Sequence, residues 1–182
     1  MSKNAFKEAR DHRSLSFYSV TVWDIIPKMR ISVDQTDRRI LKALQADATL
    51  SVDAIAAAAG LSRNAAWRRV RRLEETGVIR GRVALLDAET LGIGLTVFIA
   101  VRTDRHDGDW AEAFSRATRS FPEITGVYRT SGELDYLIRA QVRDVKGYDR
   151  LYRRLIEKID LKDVSASFVM EEIKETTALP VG

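Results

Sequence analysis

One device occurs twice within LSVDAIAAAAGLS, and it constrains the middle of this chain more than any other feature. An apolar residue, Leu50, stands before a hydroxyl residue, Ser51, and a short alanine-rich run follows. Ser51 suits a helix N-cap, with Leu50 and Ile55 at the positions of a hydrophobic staple. Gly60 ends the run, because glycine enters the left-handed conformation at a helix C-terminus without steric cost. Leu61 and Ser62 then repeat the sequence of apolar residue, cap and helix. Two short helices meeting across a turn that contains a glycine form a helix-turn-helix.

The flanking residues extend this unit. DQTDRRILKALQAD places Ile40, Leu41 and Leu44 on one face of an earlier helix, broken at Asp47 and Ala48. The helix after Ser62 runs from about Arg63 to Thr76 and stops at Gly77. Its apolar stripe is Ala66, Val70 and Leu73, with Trp67 at the edge and expected to pack on the first helix. VIRGRVALLD, after Gly77, predicts a short β wing bearing Arg80 and Arg82.

The remaining face of the third helix is cationic. Arg63, Asn64, Arg68, Arg69, Arg71 and Arg72 point away from the stripe, and no acid precedes Glu74 on that helix. Like charges three and four apart repel in isolation, and a polyanion turns that repulsion into attraction. The charge balance along the chain agrees. Residues 29–82 hold eleven Lys/Arg against six Asp/Glu, whereas residues 83–182 hold fourteen against seventeen. A basic module joined to an acidic one points to nucleic acid as the partner of the first. Residues at a recognition helix's N-terminus reach base edges, so Arg63, Asn64 and Arg68 are the candidate base readers. Arg69, Arg71 and Arg72 are candidate phosphate contacts, with Arg80 and Arg82 on the wing. Ser62 is a cap and a further phosphate candidate.

Beyond a connecting stretch at 87–94, the pattern becomes βαββαβ. LTVFIAVR (95–102) reads as a strand, 109–121 as a helix, and 124–130 and 135–142 as strands joined by a hairpin. Residues 146–159 read as a helix and 164–174 as a closing strand. This is the ferredoxin-like order. Helices cover one face of such a sheet, and a second chain's sheet is the expected cover for the other. The fold class is therefore α+β. A winged helix-turn-helix at 32–86 and a linker at 87–94 precede a ferredoxin-like domain at 95–177.

Residues 1–31 form an extension with two open readings. Either it is a floppy tail, in which SFYSVTVWDII (16–26) has strand composition, or Met29 is the natural start.

Catalytic chemistry has little to stand on. The chain contains no cysteine, which excludes disulfides, thiolate metal sites and cysteine nucleophiles. Its two histidines, His12 and His106, are far apart, and no HExxH, P-loop or GxSxG is present. No cofactor or metal is expected. No apolar run reaches the ~20 residues of a membrane span, and the polar N-terminus lacks a signal peptide's apolar centre. A cytoplasmic protein is expected.

DRRILKALQADATLSVDAIAAAAGLSRNAAWRRVRRLEETGVIRGRVALLD resembles the N-terminal domain of the Lrp/AsnC (leucine-responsive, feast/famine) transcriptional regulators. YRTSGELDYLIRAQV and FVMEEIKET resemble their hairpin and closing strand, so the likeness covers residues 33–177. The resemblance implies a regulator that binds double-stranded DNA and senses a small molecule, commonly an amino acid. It implies a homodimer that assembles into tetramers or octamers. It also places an effector near the hairpin, at Ser131, Gly132, Glu133, Asp135 and Tyr136, with Ser167, Phe168 and Val169 as companions. On chemistry alone TSGELDY is equally a tight turn, with Gly132 supplying the permissive backbone. Two further readings on the same fold are a sirohaem-decarboxylase-like enzyme and an architectural, nucleoid-coating protein. The first needs an active-site histidine, and neither His12 nor His106 lies on a predicted strand of the sheet.

Overall fold

The computed structural model describes residues 32–182. The 16–26 strand, Met29 and His12 lie outside them. The described chain falls into two compact units. One is residues 32–82 together with Ala178–Gly182, and the other is Val83–Thr177.

The first unit holds α1 (Gln35–Ala46), α2 (Val52–Ala59) and α3 (Arg63–Glu75). Each begins on a side-chain cap. Asp34 and Asp37 form a reciprocal capping box on α1, and Ser51 and Ser62 accept backbone N–H groups of α2 and α3. Gly60 closes α2 at φ 68°, in the left-handed region that sequence had assigned to it. Ile40, Ile55, Ala59, Ala66 and Leu73 are buried in the shared core. Residues 178–182 return to this core. The Gln45 side-chain amide donates to the Leu179 carbonyl (3.1 Å) and accepts from the Leu179 N–H (2.6 Å), and Val181 packs alongside.

The wing differs from expectation. Val78 and Ile79 are half-buried against the helices, but residues 78–87 form no strand. Val83, Leu85 and Leu86 are exposed. An isolated two-stranded ribbon is marginal in water, and nothing in the described chain covers these apolar residues, so the segment pairs with no strand.

The second unit contains β1 (Leu95–Arg102), α4 (Gly108–Arg119), β2 (Ile124–Arg129), β3 (Tyr136–Val142), α5 (Val145–Ile156) and β4 (Asp163–Phe168). The antiparallel sheet has the order β2-β3-β1-β4, the ferredoxin-like arrangement. Val97, Ile99 and Val101 alternate onto the helix-covered face with Ile138 and Ala140, and meet Phe114, Leu151 and Leu155. Thr96, Phe98, Ala100, Leu137 and Arg139 take the opposite face by the same alternation.

The closing strand is shorter than expected, ending at Phe168 instead of 174. Its register explains this. Phe168 pairs with Val97, and the Val169 N–H donates to the Thr96 carbonyl, so β1 offers little further edge. Glu172 and Glu175 instead reach Thr96 and Arg139 with their side chains.

Candidate nucleic-acid interface

Helix α3 carries the arginines, and the structure sorts them. Asp37 at the start of α1 is fully buried, and two guanidiniums meet it. Arg69 donates to one carboxylate oxygen (2.9 Å) and Arg72 to the other (2.5 Å). Arg69 also donates to Asp34 (2.6 Å). Burial pushes the Asp37 carboxyl up, but its bonds to Arg72 and Arg69 outweigh that and hold it below the usual range. The Asp37 N–H, followed by Arg69, lowers Asp34 to about 2. Arg69 is raised in return, chiefly by Asp34. Both arginines thus tie α3 to the first turn of α1.

The other candidates face solvent to different degrees of commitment. Arg63 pairs with Asp53 on α2 (2.6 Å), Arg71 with Glu75 (2.8 Å), and Arg82 with Glu74 (2.9 Å). These pairs are exposed, and such pairs exchange readily for a stronger anion. Asn64, Arg68 and Arg80 are exposed and make no ion pair with a described residue. Ser62 is the α3 cap, accepting from the Ala65 N–H at 3.4 Å.

Trp67 corrects the expected packing. It is 49% exposed, and the Arg71 guanidinium lies 5.4 Å from its ring centroid. Ala66 and Val70 on the same helix are buried in the core, whereas Trp67 is not among the residues packed there.

The hairpin of the second unit is built from its own backbone. Gly132 sits at φ 121°, where a side chain would be strained. The Thr130 N–H donates to the Asp135 carbonyl (2.9 Å), and the Asp135 carboxylate accepts from the Thr103 N–H (2.8 Å). Arg102 donates to the Glu133 carbonyl (3.0 Å) and lies 3.7 Å from its carboxylate. Ser131, Gly132 and Glu133 are exposed. The Tyr136 ring instead packs on Phe114 and Trp110, at centroid distances of 4.5 and 5.6 Å.

The companion residues lie elsewhere. Phe168 turns to the helix-covered face, edge-on to Tyr148, while Ser167 takes the other face. Phe168 pairs with Val97, whereas the hairpin binds Val101 and Thr103, at least four residues or ~13 Å further along β1. One chain therefore does not bring the two groups together. Among the described residues, no three His, Asp or Glu side chains cluster closely enough to hold a metal ion. No described helix is long and apolar enough to cross a membrane.

Known proteins match both units. Residues 33–80 match the winged helix-turn-helix DNA-binding family, and residues 96–179 match the Lrp/AsnC ligand binding domain. The chain is 45% identical over 150 residues to the DNA-binding transcriptional activator DecR of Escherichia coli strain K12, covering 82% of this chain and 99% of that one. This chain belongs to the Lrp/AsnC family of DNA-binding transcriptional regulators. Solved Lrp/AsnC-like structures align over most of its length. An AsnC family transcriptional regulator from Agrobacterium tumefaciens aligns with a TM-score of 0.79 at 48% identity, covering 81% of this chain and 97% of that one. A Neisseria meningitidis transcriptional regulator in complex with L-Met aligns at 0.78 and 34% identity, covering 82% and 97%.

The sequence marked nine residues at the cap of α3, along α3 and on the wing as DNA contacts, but not the buried acid that holds two of them, Arg69 and Arg72. In the sequence Asp37 is one acid within DQTDRRILKALQAD and carries no signal of its own. Its arginine partners lie 32 and 35 positions away, a distance that helical periodicity does not span.

Proposed function

We propose that this regulator reads operator DNA with the exposed N-terminal end of α3, and that Arg69 and Arg72 act as positioning residues. Asn64 and Arg68 meet base edges in the major groove, joined by Arg63 once it leaves Asp53. Ser62, Arg71, Arg80 and Arg82 hold phosphates, and Trp67 borders this strip. The observation that carries the reading is the division of α3: Arg69 and Arg72 are spent on buried Asp37, while Asn64 and Arg68 remain open.

An amino acid is the effector, bound at the hairpin around Ser131, Gly132 and Glu133. The L-Met complex of the Neisseria relative supports this class. Asp135 and Tyr136 shape the hairpin from beneath. Ser167 and Val169 join the site only from a second chain, since one chain holds them roughly 10 Å or more away along β1. A homodimer formed over the open sheet face, assembling further into tetramers or octamers, supplies that chain. Effector binding shifts the placement of the DNA-binding units, coupling amino-acid supply to transcription of amino-acid metabolism or transport genes. The regulator acts in the cytoplasm and has no catalytic role. His106, the one described histidine, is exposed in a loop.

Arg68→Ala tests the base-reading assignment. It is expected to cost about 1–3 kcal/mol on the specific operator and much less on unrelated duplex, measured by titration at fixed salt. An equal loss on every sequence would make Arg68 a phosphate contact and reject the assignment.

A further inference from the structure

We propose that the second unit carries another small-molecule site, distinct from the hairpin, that takes an acidic amino acid between the β3–α5 turn and α5. A cavity of about 460 Å³ opens there, lined by Arg143, Arg150, Arg153, Arg154, Glu123 and Gly147 among others. Two of its four arginines have acidic partners. Arg153 pairs with Asp149 (3.1 Å), and Arg154 pairs with Glu123. Arg143 and Arg150 make no ion pair or hydrogen bond with any described residue. The cavity wall thus carries two uncompensated guanidiniums, whose fork geometry suits carboxylates.

A second observation narrows the ligand. One oxygen of Glu123 accepts from Arg154. The other, Oε2, is buried and has no hydrogen-bond partner. A buried carboxylate oxygen beside four arginines calls for a donor, and none of the four supplies it. A plain dianion satisfies Arg143 and Arg150 but leaves this acceptor unmet. An amino acid with a side-chain carboxylate meets both demands once the Glu123 carboxylate turns its Oε2 into the cavity: two carboxylates face Arg143 and Arg150, and the ammonium faces Glu123. Ile93 adds an apolar wall for the intervening methylenes. The hairpin site has no comparable array, since its Arg102 is already engaged by Glu133 and by Asp163 at 3.6 Å.

Calorimetric titration of the full chain tests the proposal with L-glutamate, L-aspartate, glutarate, inorganic phosphate and L-methionine. L-glutamate or L-aspartate is expected to bind, and Arg150→Gln to weaken that binding roughly tenfold or more, as for loss of a charge-assisted bond. Arg150 is exposed, so this variant keeps its fold. Glu123→Gln should weaken the amino acid but not glutarate, which lacks the ammonium. Absence of binding by either acidic amino acid overturns the proposal, as does binding insensitive to Arg150→Gln. Equal affinity for glutarate or phosphate overturns the ligand class. A methionine response lost in Glu133→Gln but kept in Arg150→Gln belongs to the hairpin reading, so the two sites fail separately.

Discussion

Helix α3 presents five arginines and α5 three, yet the acids that meet them come from different places. On α3 the decisive partners, Asp34 and Asp37, belong to another helix more than thirty residues away. They fix how α3 lies on α1. On α5 the partners are Asp149, four residues earlier on the same helix, and Glu123 before β2. Arg150 is left over, at the mouth of a cavity. Charge density alone does not distinguish these helices. The difference is whether an arginine meets a buried acid, which makes it part of the fold, or an exposed one, which leaves it available to a ligand.

The largest effect expected from this contrast is on stability. Asp37→Asn strands two guanidiniums and should remove about 3 kcal/mol from the first unit, the low end for a broken buried pair because both arginines stay partly in water. Arg150→Gln on α5 should change stability by less than about 0.5 kcal/mol. Denaturant unfolding of both variants checks this, and similar losses in the two would erase the distinction. Ser62→Ala probes the end of α3 with no buried acid beneath it. The cap bond is long and exposed, so the cost should be about 0.5 kcal/mol. A loss well above 1 kcal/mol would mean that Ser62 holds the helix more firmly than its geometry shows.

Acid gives the mildest test. Asp34 and Asp37 are both held below their unfolded values, near ~3.9. Their contribution is complete above that range and is lost as pH falls through the folded values, about 2 for Asp34. Thermal melts should therefore show the first unit weakening between roughly pH 4 and 2, with a shallower decline in Arg69→Gln. An unchanged acid slope in that variant would detach Arg69 from the effect.

Much of this was legible in the sequence, for local reasons. Ser51, Gly60 and Ser62 act within a few residues of themselves, so their caps and turn follow from residue type. Strand β1 was legible at both ends because Val97, Phe98, Ile99 and Val101 give it strand composition between Gly94 and the polar run after Arg102. Trp67 was misplaced because periodicity set it at the stripe's edge, and the packing of Ala66 and Val70 decided which way the edge faced. The last strand was overrun because VMEEIK holds no Gly or Pro to end it, while its length depends on where β1 ends. The α5 arginines passed unnoticed beside the apolar stripe of Leu151 and Leu155, since only the tertiary fold brings Glu123 and Arg143 to them. The hairpin residues are neighbours around Gly132 because they are neighbours in sequence, but Ser167 and Phe168 were joined to them by resemblance, and β1 separates the groups.

The return of Leu179 and Val181 to α1 has a consequence for the order of events during synthesis. The three helices leave the ribosome early, but the residues that Gln45 brackets come from the far end of the chain. At ordinary translation rates some 95 intervening residues take roughly 5–20 s to make. Throughout that interval the DNA-binding unit exists with its α1 edge uncapped, so residues made after the whole second unit complete the unit made before it.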